Sequence, residues 1–260
     1  MRTAAIVGSA VIAILVAGCG SRDGSRVLAN TASNLASIRS GQLAVSLRID
    51  LRGGQSFRFE LRGPFRFLEG LRLPVARIAY TTISGGSRVN GTLISNGRQV
   101  VVRVGRKARR LTEAELDRLR AATRSIHEGG DGLRTRIVDL FESPQLARRS
   151  EVGGAATEHV HAALDVPAAL DELVELGNRL FGEPLLSPQS RTQVEPAMRS
   201  ATVDVYSGEN DHVLRKLRIE VKFGIDVPDA VAEALGGVVG GTASAELEIV
   251  HPNSAVLVGR

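Results

Sequence analysis

Residues 43–51 alternate strictly between two kinds of side chain, and this period of two constrains the fold more than any other feature of the sequence. The segment LAVSLRIDL places a large aliphatic residue at every second position, with Ala, Ser, Arg and Asp between them. Because successive side chains of a strand point to opposite faces, the pattern predicts a β-strand with one apolar and one wet face. After Gly53–Gly54, the segment FRFELR repeats the pattern, so an antiparallel pair is predicted.

Similar strand patterns recur along the rest of the chain. They cover residues 75–83, 89–95, 99–104, 157–166, 201–206, 213–223 and 244–251. Asn96–Gly97, between two of these segments, is typical of a hairpin turn. The short spacing and tight turns predict an antiparallel meander.

Helical patterns separate the blocks of strands. They cover residues 27–38, 111–122, 133–141, 167–181 and 187–199. Thr112 and Glu115 have the spacing of a capping box, which marks a helix start. The order of elements predicts an α+β fold with one large antiparallel sheet, whose apolar face is covered by helices.

Thirteen apolar side chains are predicted to share that covered face. They are Leu43, Val45, Leu47, Ile49, Phe57, Phe59, Val203, Val205, Leu217, Ile219, Val221, Leu247 and Ile249. In one interpretation they form a tightly packed core under the helices. In the other, helices and sheet leave an apolar cavity, and these residues bind acyl chains. Both interpretations need the same alternation, so periodicity does not separate them.

The only cysteine, Cys19, follows an uncharged apolar stretch, Ala4–Ala17, and a short cationic start. That stretch is shorter than the about 20 residues of a membrane-spanning helix and has the length of a secretory signal. Residues 16–19, VAGC, resemble a bacterial lipobox. The resemblance implies a lipidated Cys19, a signal peptide over 1–18 and a tether over 19–27. Residues 28–260 are expected to form one domain. A plain signal peptide and a short membrane helix are the alternatives.

The composition argues against several classes of function. With Cys19 lipidated, no thiol remains for a disulfide, a metal or a nucleophile. A net charge of +5 spread along the chain is a mild attraction to anionic lipid and not a nucleic-acid-binding pattern. The sequence contains no GxSxG, HExxH or phosphate-binding glycine loop. We therefore predict no catalytic residue, no cofactor and no nucleic-acid partner.

Two polar clusters each allow a functional and a structural interpretation. His159 and His161 share one face of a predicted strand and could hold a metal, but spacing suggests no third ligand. We expect them on the solvated face, with no metal. The basic segment 103–110, RVGRKARR, could contact anionic headgroups or form a solvated turn before a helix, and the turn is favoured.

The lipobox, the strand meander, the capped helix, the segment EHVHAALDVPAALDEL and the final hairpin together resemble the LppX/LprG-type actinobacterial lipoproteins of the LolA/LolB fold. The resemblance implies an incomplete, strongly curved β-barrel with helices over its concave face and an apolar pocket for lipid. It offers no catalytic residue. The glycines of 236–241 fit a flexible pocket rim.

The expected function is therefore that of a monomeric cell-envelope lipoprotein that binds lipid or acyl chains and transfers them. It would be anchored to the extracytoplasmic face of the cell membrane. Its protein partner would be a membrane transporter or another lipoprotein. The alternative is a non-catalytic structural or interaction lipoprotein with a filled core.

The lipobox predicts that Cys19→Ser abolishes lipidation, because serine lacks the thiol that accepts diacylglycerol. The variant should remain an uncleaved or unlipidated precursor, as judged by intact mass. Ser21→Ala, two residues away, is the matched control and should be processed normally. A Cys19→Ser protein that loses its signal region and still partitions into detergent would refute the lipobox assignment.

Overall fold

The computed structural model describes residues 24–52, 54, 56–128, 139–169, 171, 197–224 and 240–258. These residues contain one twelve-stranded sheet in which every recorded pair of strands is antiparallel. The strands are β1 Ser40–Leu51, β2 Ser56–Arg66, β3 Val75–Ser84, β4 Ser87–Asn96, β5 Val100–Val104, β6 Lys107–Arg110, β7 Phe141–Leu146, β8 Ser150–Val152, β9 Ala155–Leu164, β10 Met198–Gly208, β11 Leu214–Gly224 and β12 Gly240–Val250.

The sheet consists of two meanders joined in the middle. Its order is β6-β5-β4-β3-β2-β1-β12-β11-β10-β9-β7, with β8 pairing beside β7 on β9. The junction is the pair β1–β12, in which Leu43 faces Ile249 and Leu51 faces Gly241. Among the described strands the sheet does not close, so β6 forms one edge and β7 with β8 forms the other. This arrangement confirms the predicted antiparallel sheet.

The first helix, α1 Gly24–Asn34, packs on the half of the sheet that contains β7, β9, β10 and β11. It begins three residues before the predicted start at Val27. Gly24 is buried, and a Cβ there would lie 2.7 Å from the Pro144 carbonyl oxygen. The Thr31 hydroxyl donates to Ser207 Oγ at 2.8 Å. The last residues of the predicted tether are thus part of the folded structure. A short 3-10 helix, Leu35–Ser37, connects α1 to β1.

The second helix, α2 Glu113–Glu128, begins with the predicted capping box. The Thr112 N–H donates to Glu115 Oε2 at 2.7 Å, and the Glu115 N–H donates to Thr112 Oγ1 at 3.3 Å. Hydrogen bonds from Arg109 and then from the Thr112 backbone lower the pKa of Glu115 to about 2. Leu116 is 2% exposed and packs with Leu73 and Val100, which fixes the helix on the sheet.

Two local predictions differ from the structure, and one short strand was not predicted. Lys107–Arg110 is an exposed edge strand, β6, and not a turn, because its backbone pairs with β5. Residues 150–152 form the short strand β8, which three residues of sequence could not reveal. Phe141, the predicted end of a helix, begins β7 and pairs with Leu164. Residues 129–138 and 172–196, which hold most of three predicted helices, lie outside the described part of the chain, as do Cys19 and residues 1–18.

Gly240 and Gly241, assigned above to a flexible rim, instead lie inside the sheet as the first residues of β12. A Cβ on Gly240 would lie 2.6 Å from the Phe223 carbonyl oxygen. A Cβ on Gly241 would clash with the Asp50 carbonyl oxygen and lie 2.8 Å from the Phe223 ring. These glycines let β1, β11 and β12 approach closely. Residues 236–239 lie outside the described residues.

Gly241→Ala should therefore destabilise the protein by about 1–3 kcal/mol, because the new methyl group overpacks against backbone atoms that cannot move independently. Thermal unfolding should show a Tm lowered by about 2–4 °C for each 1 kcal/mol. Thr242→Ala, at the next position on the opposite face, is the control and should cost less than about 1 kcal/mol. Equal effects of the two substitutions would contradict the close-approach explanation.

Candidate functional site

The strand register places all thirteen predicted face residues on one side of the sheet. In one cross-strand row, Phe59 faces Leu47, which faces Ala245, and the row continues through Ile219 and Val203. The neighbouring rows are built in the same way, as in Phe57, Ile49, Ala243 and Val221. Because residues paired in register share a face, these side chains form one continuous apolar surface. We call it the inner face.

One part of the inner face is filled by the core. Val203, Val205 and Ile249 are 1%, 4% and 7% exposed and belong to a buried cluster that also contains Val27 and Leu28 of α1. Leu43, Leu217, Ile219 and Leu247 are half-buried and pack against this cluster. We call these seven residues the closed half. In this part of the inner face, side chains of the sheet and of α1 pack together.

The other six predicted residues have a different environment. Val45, Leu47, Ile49, Phe57, Phe59 and Val221 are half-buried. None of them belongs to either apolar core cluster found among the described residues. Ala243 and Ala245 lie between them on β12, so small side chains separate the larger ones of β1 and β11. We call this surface of six residues the open half.

An aromatic residue that the sequence analysis did not select extends the open half. The Tyr80 ring lies 6.5 Å from the Phe59 ring, measured between centroids. It also occupies the space that a Cβ on Gly91, its cross-strand partner, would need. Tyr80 was not selected from the sequence because its strand, β3, alternates through the small residues Ala and Thr. The pairing of β3 with β4 is also not visible in the sequence.

The six side chains of the open half present hydrocarbon and no titratable group. Charged residues of the same strands, such as Arg48, Asp50 and Glu60, alternate with them and so point to the opposite face. Such a surface can bind an apolar chain, since each Å² of apolar area removed from water contributes about 25 cal/mol. It offers no group for proton transfer.

The predicted histidine pair lies on the opposite, outer face, as expected from the burial of Val160 and Ala162. His159 Nε2 and His161 Nδ1 lie 2.8 and 2.9 Å from the same atom, Asp204 Oδ1. The His159 ring also stacks on Tyr206 at 4.3 Å. Within the described residues there is no group of three or more His, Cys, Asp and Glu that could hold a metal ion. Asp204 was missed because it lies on a different strand.

Comparison with known proteins bears on the fold. No protein-family model matches the chain, and no curated protein matches its sequence. The structure is similar to the crystal structure of LprF from Mycobacterium bovis, with a TM-score of 0.52 and 10% identity, over 92% of this chain and 97% of that chain. The crystal structure of the Mycobacterium tuberculosis lipoprotein LppX matches with a TM-score of 0.45 and 13% identity, over 90% of this chain and 98% of that chain.

The likeness to LprF concerns the fold alone. It confirms the predicted fold class, one large, open antiparallel sheet with few helices. It also confirms the predicted resemblance, for the fold alone. No helix among the described residues is long and apolar enough to cross a membrane.

The contacts of His159 and His161 with Asp204 on the outer face predict that the stability of the fold depends on pH. Partial burial raises the pKa of Asp204, but hydrogen bonds from His161 and His159 outweigh burial and hold that pKa below its ordinary value. A carboxyl with a lowered folded-state pKa stabilises the fold above its unfolded pKa of about 3.9 and loses this contribution as pH falls. The Tm advantage of the wild type over Asp204→Asn should therefore be fully present above about pH 5 and shrink as pH falls below about pH 4.

The double variant His159→Ala, His161→Ala tests the cause. Without its two donors, the pKa of Asp204 should return towards its ordinary value, as measured by an NMR titration of the Asp204 carboxyl carbon. An unchanged pKa of Asp204 in this variant would show that the histidines are not responsible.

Proposed function

We propose that this chain is a membrane-anchored lipoprotein of the cell envelope that binds lipid acyl chains on the open half of its inner face. One observation carries the proposal: six neighbouring apolar side chains are half-buried on one face and lie outside the described core clusters. The lipobox at Cys19 and the fold shared with LprF support it. The proposed activity is binding and transfer, without catalysis and without a cofactor.

The proposed anchor would hold the fold close to the membrane. Only four residues separate Cys19 from Gly24, the first residue of α1. From Cys19 to Gly24 there are five Cα–Cα steps, which span at most about 18 Å when fully extended. Because α1 is fixed to the sheet through Val27, Leu28 and the Thr31–Ser207 hydrogen bond, the folded domain would remain near the bilayer from which lipid is taken.

Burial of an acyl chain would give useful affinity. Each methylene removed from water contributes about 0.8 kcal/mol, so ten of them contribute about 8 kcal/mol. That free energy corresponds to a Kd of about 1 μM before the costs of ordering the chain. Binding of this strength is reversible, which suits a carrier that hands lipid to a membrane transporter or to another lipoprotein.

The second candidate function is a structural or interaction module with a filled core. The closed half favours it, because Val203, Val205 and Ile249 are packed among buried residues. We therefore restrict the proposed ligand contacts to the open half. The two functions differ in whether Leu47 and its neighbours contact a ligand or protein atoms.

A matched pair of substitutions on β1 separates the two functions. Leu43 and Leu47 are both half-buried and share the inner face, but only Leu43 packs against the described core. Leu43→Trp should overpack the core and cost about 1–3 kcal/mol. Leu47→Trp should leave the Tm nearly unchanged and reduce the non-covalently bound lipid that co-purifies with the protein, as measured by mass spectrometry of an extract.

The controls for this experiment are the wild type and Leu43→Trp, each extracted in the same way. The chain has no native tryptophan, so fluorescence also reports the surroundings of the introduced ring at position 47. A wild type without bound lipid, together with a Leu47→Trp protein as destabilised as Leu43→Trp, would exclude the carrier and favour the filled core.

A further inference from the structure

A second feature of the structure is a half-open cleft of about 530 Å³ beside α2. Its walls come from the start of β1, the segment that follows β2, and one side of α2. The lining residues are Arg39, Phe67, Leu68, Glu69, Leu71, Arg72, Arg120, Thr123 and Arg124. Four arginines and one glutamate therefore share a small volume with three large apolar side chains.

This arginine cleft is separate from the open half. Arg39 directly precedes β1, and Leu47 lies eight residues further along the strand. At about 3.3 Å per residue, the two positions are about 26 Å apart. The cleft thus lies at one end of the sheet, and the open half extends towards the other end.

The backbone that carries the cleft is held in place. The Phe67 N–H donates to the Arg39 carbonyl oxygen at 2.7 Å, which joins the segment after β2 to the start of β1. The Leu71 N–H donates to the Leu68 carbonyl oxygen at 3.1 Å, and the Leu71 side chain fills the space beside Gly97. The apolar wall is therefore formed before any ligand binds.

The positive charge of the cleft is only partly balanced. The Arg120 guanidinium donates to Asp117 Oδ1 at 2.7 Å and to Glu113 Oε2 at 3.2 Å, so its position is fixed and its charge is neutralised. Arg39 and Arg72 are exposed, and neither side chain forms a recorded ion pair or hydrogen bond with another described residue. Glu69 is the one acidic residue of the lining. Two guanidinium groups are thus available to an anion.

We propose that the arginine cleft binds a phosphate group attached to an apolar tail, the head region of an anionic phospholipid. Guanidinium groups match the oxygens of phosphate in paired, charge-assisted hydrogen bonds. Arg39 and Arg72 supply these donors, and Phe67, Leu68 and Leu71 contact the first carbons of the tail. Leu68 is 39% exposed, so part of this apolar wall is open to solvent and to a ligand.

The experiment compares three probes on the purified protein by calorimetry. Dihexanoylphosphatidic acid carries both head and tail, inorganic phosphate only the head, and dihexanoylglycerol only the tail. We expect phosphatidic acid to bind more tightly than either fragment. In the double variant Arg39→Gln, Arg72→Gln, its affinity should fall about tenfold or more, since two charge-assisted contacts are lost.

The matched control is Arg58→Gln, Arg62→Gln, which removes the same charge from two exposed arginines of β2 outside the cleft. It should change the affinity by less than about twofold, and Glu69→Gln should strengthen binding by removal of a like charge. All variants alter exposed side chains, and thermal unfolding verifies that they fold.

Three results would overturn the proposal. The affinity could be unchanged in Arg39→Gln, Arg72→Gln. It could fall equally in both double variants, which would indicate general charge attraction. Inorganic phosphate could bind as tightly as phosphatidic acid, which would indicate a free anion and no role for a tail. Repeating the titrations in Leu47→Trp separates these results from binding at the open half, because that substitution should leave phosphatidic acid binding at the cleft intact.

Discussion

The pairing of β1 with β12 is the interaction on which the rest of the structure depends. These are the first and last strands of the described sheet, and their register fixes which side chains of both meanders share the inner face. A slip of one residue would turn Leu43, Leu47 and Ile49 outwards and Arg48 and Asp50 inwards. Gly240 and Gly241 permit the close approach at one end of the pair. Because β1 and β12 lie far apart in the sequence, bringing them together costs loop-closure entropy. This cost arises before side-chain contacts stabilise the pair.

The inner face then acquires two different roles along a single surface. Where α1 lies against it, side chains from helix and sheet are buried together and stabilise the fold. Beside this region, at Leu47, Ile49 and Phe59, the side chains stay half-buried and outside the described core. One run of alternating residues therefore supplies both a core and a candidate binding surface. The difference comes from what covers each part and not from residue type.

This is also where prediction from the sequence stops. Alternation predicted the main strands and the shared face, because period two is a local property of the chain. It could not predict which face residues α1 buries, since that depends on contacts distant in the sequence. The edge strand β6 was missed because the KARR segment has no apolar alternation. Asp204 accepts hydrogen bonds from His159 and His161 but lies more than forty residues away from them in the sequence. It was missed because, as with the contacts of α1, the pattern of the sequence is local.

An open sheet has two edges, and the described strands β6 and β7 are both unsuited to adding a strand from another copy. All four residues of β6 are exposed, and three of them are Lys107, Arg109 and Arg110, so two such edges repel each other. At the other edge, Pro144 offers no N–H, and Ser143, with a φ of 48°, interrupts the register of β7. Proteins confined to a membrane surface meet one another far more often than proteins in solution. With the lipid anchor proposed above, edges of this kind would let the chain reach high surface density without edge-to-edge association of its sheets.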